Sequence, residues 1–145
     1  MKTPAARLTE AIDVLQPSSN RFSVGVDAVS LPRFRKHLKH AGSRFLARVL
    51  VEEEIRDCHG RTESLAARFA AKEAALKALG TGTQGVSWHN VIVESDDLGA
   101  PRIRLMGSAA ARADTLGLNY WALSLTHDGD YAFAVVLARS VLDEA

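Results

Sequence analysis

A single cysteine, Cys58, stands in the 145 residues. No internal disulfide can form, and a reducing, cytoplasmic setting is the expectation. Cys58 falls in a polar Arg-Asp-Cys-His-Gly turn beside His59; adjacent residues make a poor nucleophile–base dyad, so a catalytic thiol is not expected. No apolar run approaches the length of a membrane span, and no membrane partner is expected. Met1 to Asn20 lacks the apolar core of a secretory signal. No repeat and no low-complexity tract interrupts the chain. What remains is an ordinary globular composition, 47% hydrophobic and 24% charged, of a size for one domain with a sizeable core.

Acidic residues are missing from one stretch. Between Ala28 and Val51 there is no Asp or Glu, while Arg33, Arg35, Lys36, Lys39, Arg44 and Arg48 stand there with His37 and His40. Glu52-Glu53-Glu54 follows at once. A one-sign patch on a chain of net charge +1 points to an acidic partner or a polyanionic ligand, or else to a solvated basic helix face. Aromatics do not interleave with these cations, which argues against nucleic acid.

Patterning gives an α+β domain in the order β-α-α-α-α-β-β-α-β-β. Residues 1–20 form an N-terminal extension and 21–145 the domain. A strand over Arg21–Leu31 leads into a basic helix over Leu31–His40, started by Ser30 and Pro32 and broken at Gly42-Ser43. Short helices follow over Arg44–Leu50 and Glu52–Cys58. Thr62 or Ser64 is the expected cap of a long helix that ends at Leu79, with Gly80 after it. Beyond the glycine-rich loop Gly80–Gly85, strands are expected over Val86–Glu94 and Arg102–Met106. A helix capped by Ser108 ends at Gly117, and a hairpin through Asp128-Gly129 joins strands Tyr120–Thr126 and Tyr131–Ala138.

Three polar features fall where apolar residues belong. Asp27 interrupts the first strand, where Asp is disfavoured. On the long helix, a wheel centred on Phe69 places Glu73 inside the apolar stripe and Lys77 one turn on at its edge. Glu73 must then pair with Lys77 at i,i+4 or face a site. His127 ends the fourth strand. Singly, Asp27 reads equally as a capping residue and His127 as a turn residue. Together they supply two hard carboxylates, a cation and a histidine, the set for a magnesium-dependent reaction at a diphosphate.

In register, these segments resemble the holo-acyl-carrier-protein synthases, the short, single-domain 4′-phosphopantetheinyl transferases. The matching runs are Gly25-Val26-Asp27 with Leu31-Pro32-Arg33-Phe34, and Arg44 through Leu50. They continue with Arg68-Phe69-Ala70-Ala71-Lys72-Glu73-Ala74 on to Lys77-Ala78-Leu79-Gly80-Thr81-Gly82, and Leu123-Ser124-Leu125-Thr126-His127 with Tyr131-Ala132. The turn Gly99-Ala100-Pro101 also fits. The likeness spans roughly residues 22–140; the N-terminal extension departs from it.

The resemblance implies an antiparallel-type sheet packed on a long helix. It implies transfer of 4′-phosphopantetheine from coenzyme A to a serine of an apo acyl carrier protein, with release of 3′,5′-adenosine diphosphate. Asp27 and Glu73 would bind Mg²⁺, with Mn²⁺ as a possible substitute. Glu73 would help deprotonate the serine, Lys77 would meet the phosphate or leaving group, and His127 would position the diphosphate. Gly80, Thr81 and Gly82 would approach the coenzyme; Arg68 would contact it or tie down the helix, with Lys72 open to the same two readings. Arg33, with Arg44 and Arg48, would meet an acidic carrier helix. A homotrimer with sites between subunits is part of the same expectation. The competing readings are a catalytically silent carrier-binding domain and a metal-dependent phosphodiesterase. The first predicts loss of Asp27, Glu73 or Lys77. The second needs a further water-activating base, which the sequence does not offer.

Overall fold

The computed structural model describes residues 21–82 and 84–141; the extension expected over residues 1–20 lies outside the described residues. Strand β1 (Phe22–Ser30) leads into helix α1 (Leu31–Val49), then α2 (Glu52–Asp57) and α3 (Thr62–Leu79). A 3₁₀ turn (Trp88–Asn90) precedes β2 (Val91–Ser95) and β3 (Pro101–Leu105); α4 (Gly107–Leu116), β4 (Tyr120–Asp128) and β5 (Tyr131–Arg139) complete the domain. Two antiparallel sheets result, one ordered β1-β5-β4 and the other the hairpin β2-β3.

Ser30 caps α1, its Oγ accepting from the Arg33 amide at 3.4 Å. The expected break is present: Gly42 adopts φ 51°, ψ −137° inside α1, a conformation costly for any residue with a Cβ. Gly80 and Gly117 close α3 and α4 in the left-handed region.

Four expected caps and boundaries need correction. The residue before α3 is Arg61, without a side-chain cap, so neither Thr62 nor Ser64 serves. Helix α4 starts at Gly107; Ser108 is a recipient of capping, its amide and hydroxyl both donating to Asn90 Oδ1 at 3.0 and 2.6 Å. Residues 86–90 are not strand, because Ser87 caps a 3₁₀ turn at the His89 amide. The β4–β5 turn is Gly129-Asp130, one residue later than expected.

Helix α3 is the centre of the molecule. Leu65, Ala66, Ala70, Ala71, Ala74, Ala75, Leu76, Ala78 and Leu79 are all buried. Those positions run nearly all the way round the helix, so it is a core helix rather than a half-buried one. The expected stripe centred on Phe69 is therefore wrong: Phe69 and Glu73 are half-buried and Lys77 is exposed, and this sector is the helix's open side. The wheel misled because alanine, weak on a hydrophobic scale, fills the closest contacts.

Gly25 shows how close those contacts are. A Cβ there would lie 1.7 Å from the Ala74 carbonyl oxygen. The glycine lets the α3 backbone rest directly on β1, and this brings Asp27, two residues along on the same sheet face, beside Glu73 and Lys77.

Candidate active site

Asp27, Glu73 and Arg33 line one cleft of about 570 Å³. Its floor is aromatic: Phe34, Phe45 and Phe69 have ring centroids 5.4 to 5.9 Å apart. Trp88 stacks on Phe69 at 5.6 Å, and Trp121 packs against the core and donates to Leu118 O at 3.3 Å. Both tryptophans are thus packing residues, as expected.

The i,i+4 alternative for Glu73 is not what forms. Lys77 Nζ reaches across to β1, donating to Asp27 Oδ1 at 3.1 Å and to Val26 O at 2.9 Å. The Asp27 side chain is only 17% exposed. Burial, then the Asp27 charge, pushes the Glu73 carboxyl above its ordinary range, with Lys77 opposing. A carboxylate in that condition calls for a cation or a proton.

The described residues offer two carboxylates here. Among the described residues no group of three or more His, Cys, Asp or Glu could hold a metal. That donor set fits Mg²⁺, which takes one or two carboxylates and completes its octahedron with phosphate oxygens and water.

His127 is not brought to this cleft within one chain. It pairs with Ala132, which pairs with Val29, so β5 stands between His127 and β1. Two strand spacings, about 10 Å, separate them. Its neighbour is instead Glu63 at the start of α3: that carboxyl is held down by its own backbone amide, then by Arg35 at 3.0 Å, and also by His127.

Arg68 also points elsewhere. Its Nη1 donates to Val93 O at 2.9 Å and its Nε to Cys58 Sγ at 3.1 Å. Of the two readings for Arg68, tying down the helix is the one this geometry supports. Cys58 is fully buried, and burial raises its thiol above the usual value with Arg68 opposing. That setting is the one of a structural thiol.

Gly80, Thr81 and Gly82 follow one turn past Lys77, with Thr81 Oγ1 donating to Gly82 O at 3.3 Å. Arg112, which no motif singled out, donates to Leu79 O at 3.0 Å and fixes the base of that loop. Arg44 and Arg48 are exposed around a hollow of about 220 Å³ that shares His37 and Phe45 with the main cleft. The basic surface with Arg33 is thus continuous with the carboxylate site.

This combination of a two-carboxylate cleft and a basic rim on an α+β fold coincides with a known class. The chain matches the family described as the 4′-phosphopantetheinyl transferase superfamily over residues 23–136. It is 43% identical over 120 residues to a holo-[acyl-carrier-protein] synthase of Herpetosiphon aurantiacus, covering 78% of this chain and 94% of that protein. To one from Micrococcus luteus it is 47% identical over 118 residues, covering 80% and 90%. The crystal structure of the Helicobacter pylori holo-[acyl-carrier-protein] synthase in complex with coenzyme A superposes with a TM-score of 0.73 at 33% identity, covering 79% of this chain and 98% of that one. Within the superfamily, the chain belongs to the holo-[acyl-carrier-protein] synthases, and it is an enzyme of that family.

Proposed function

We propose that this enzyme transfers 4′-phosphopantetheine from coenzyme A to a serine hydroxyl of an acidic apo carrier protein, releasing 3′,5′-adenosine diphosphate. The carrying observation is Asp27 and Glu73 on one cleft with Lys77 bonded to Asp27 at 3.1 Å. Coenzyme A is named as the ligand of the Helicobacter pylori relative.

Asp27 and Glu73 would hold Mg²⁺, or Mn²⁺ in its place; when bound, the ion offsets the charge of the diphosphate oxygens. The remaining work falls to side chains. Glu73, its carboxyl already raised, is suited to take the proton from the attacking serine. Lys77, half exposed beside the cleft, can swing from Asp27 to the phosphate that leaves with the adenosine. The bond formed is from the serine oxygen to the pantetheine-bearing phosphorus, and the bond broken is the diphosphate bridge. Gly80, Thr81 and Gly82 would border the coenzyme. Arg33, with Arg44 and Arg48, would draw in the acidic carrier helix, chiefly by raising the encounter rate.

A homotrimer belongs to the same proposal. The outer face of the three-stranded sheet exposes Phe22, Val24, Val26, Tyr120, Val135 and Leu137, with Val24 65% accessible. A contiguous apolar face of this kind favours association. One subunit's His127 could then serve the Asp27–Glu73 cleft of another. A cytoplasmic setting rests on the lone Cys58.

The presence of Asp27, Glu73 and Lys77 together disfavours a silent carrier-binding domain. The test is intact-mass spectrometry of an apo acyl carrier protein incubated with this protein, coenzyme A and Mg²⁺. Gain of one phosphopantetheine, abolished by EDTA, supports the reading. No gain across carriers of several types, from protein that binds coenzyme A, supports the silent domain.

A further inference from the structure

The bulkiest fully enclosed side chain among the described residues belongs to a lysine. Lys72 is 0% exposed and immediately precedes Glu73. Its Nζ donates to Glu54 Oε1. Glu54, itself buried, accepts at Oε1 from the Val51 amide at 3.0 Å and at Oε2 from the Val93 amide at 3.1 Å. Arg68, one turn before Lys72, holds the carbonyl of the same Val93 at 2.9 Å. One carboxylate therefore joins α2, α3 and β2, and the Val93 peptide is gripped at both ends by groups tied to α3.

A buried ion pair is a weak source of stability, because desolvation cancels most of the attraction. Directional fixing is a better account of this one. The rest of the buried surface of α3 is dominated by alanine: Ala66, Ala70, Ala71, Ala74, Ala75 and Ala78. Alanine ridges are shallow, so they set how closely the helix approaches its neighbours but resist rotation about its axis poorly. Gly25 against Ala74 likewise sets distance, not rotation. The Lys72–Glu54 contact is specific in direction, and Glu73 is set about 100° round the helix from Lys72. Whatever fixes Lys72 fixes where the Glu73 carboxylate stands relative to Asp27.

We propose that Glu54 and Lys72 are positioning residues: their buried pair locks the rotation of α3 so that Glu73 meets Asp27 at the cleft. This rests on the metal and transfer roles proposed for Glu73. The pair touches no substrate, and its effect is exerted through Glu73.

The test compares wild type with Glu54→Gln/Lys72→Met, which removes both charges while roughly conserving shape. Mn²⁺ binding is followed by electron paramagnetic resonance with saturating coenzyme A, alongside kcat, KM for the carrier and Tm. The expected result is a folded variant whose Mn²⁺ affinity and kcat each fall about 10- to 100-fold, the range seen when groups that orient metal ligands are lost. KM for the carrier should stay within about twofold, since those roles leave the basic surface untouched. Glu54→Asp, which keeps both charges but shortens the reach to Lys72, is the milder arm and should move the same two readouts in the same direction if the double variant does not fold. Leu118→Ala, a buried truncation beyond α4, should lower Tm with Mn²⁺ affinity unchanged. Wild-type Mn²⁺ affinity and kcat in the folded double variant, or an affinity loss in Leu118→Ala in proportion to its Tm, overturns the proposal. Wild-type protein that binds coenzyme A but no Mn²⁺ overturns the reading beneath it as well.

Discussion

Lys72 and Glu73 are consecutive residues in opposite worlds. Lys72 is sealed in the core against Glu54, whose carboxylate also accepts from the Val51 and Val93 amides. Glu73 looks into an open cleft beside a second carboxylate, with no cation bonded to it among the described residues: the nearby Lys77 is bonded to Asp27. Burial lowers the Lys72 ammonium from its ordinary value, with Glu54 opposing, and burial raises the Glu73 carboxyl, with Asp27 adding to the rise. The first pair is complete and can only hold. The second is incomplete and can bind. The same helix thus carries scaffold on one side and chemistry on the other, and the difference is whether a buried charge has been given its partner.

The comparison can be broken first at the chemistry. Glu73→Gln is expected to keep the fold and lower kcat by about 10²- to 10⁴-fold, the range for a positioned base; turnover at saturating coenzyme A, carrier and Mg²⁺ measures it. Gly25→Ala should follow closely, since the added Cβ meets backbone rather than a flexible side chain. It should cost about 4 kcal/mol or more in urea unfolding, and a variant with wild-type stability would mean that α3 does not rest on β1. Lys72→Met alone strands the Glu54 carboxylate and should cost about 3–5 kcal/mol in the same assay.

The pH dependence sharpens the contrast. A carboxyl raised in the folded state contributes stability that is fully present below its unfolded pKa, about 4.3. That contribution is lost as pH rises through the folded value. Metal-free Glu73→Gln should therefore melt above metal-free wild type near about pH 7, with the gap closing toward about pH 4. Paired melting curves across that range check the sign.

The smallest effects belong to the surface. Arg33→Glu should raise KM for the carrier more than KM for coenzyme A, and the gap should shrink as salt is added. Equal losses for both substrates would place the carrier elsewhere. Breaking the exposed Arg35–Glu63 pair with Arg35→Ala should leave Tm unchanged within error.

Much of this was legible in the sequence, for reasons that differ by residue. The break at Gly42 and the closures at Gly80 and Gly117 follow from backbone freedom, which is local. Asp27 stood out as an acid in an apolar strand; Glu73 was singled out by a stripe that the structure does not form, yet both line one cleft. The long-range partners were not visible. Lys77 bonds Asp27 rather than Glu73 because Gly25 lets two backbones touch, a contact between residues some fifty positions apart in the chain. Lys72 stood open between contacting the coenzyme and tying down the helix because its partner, Glu54, sits 18 positions away in an acidic run. Asn90 took the capping role expected of Ser108 for the same reason: its reach crosses from one element to another.

The most direct test of the division on α3 is the single-turnover rate of phosphopantetheine transfer by folded Glu73→Gln protein, with coenzyme A, carrier and Mg²⁺ all saturating. Loss of transfer with native-like melting is the predicted result. Transfer at the wild-type rate would contradict the account, leaving Glu73 a tolerated acid at the edge of the core.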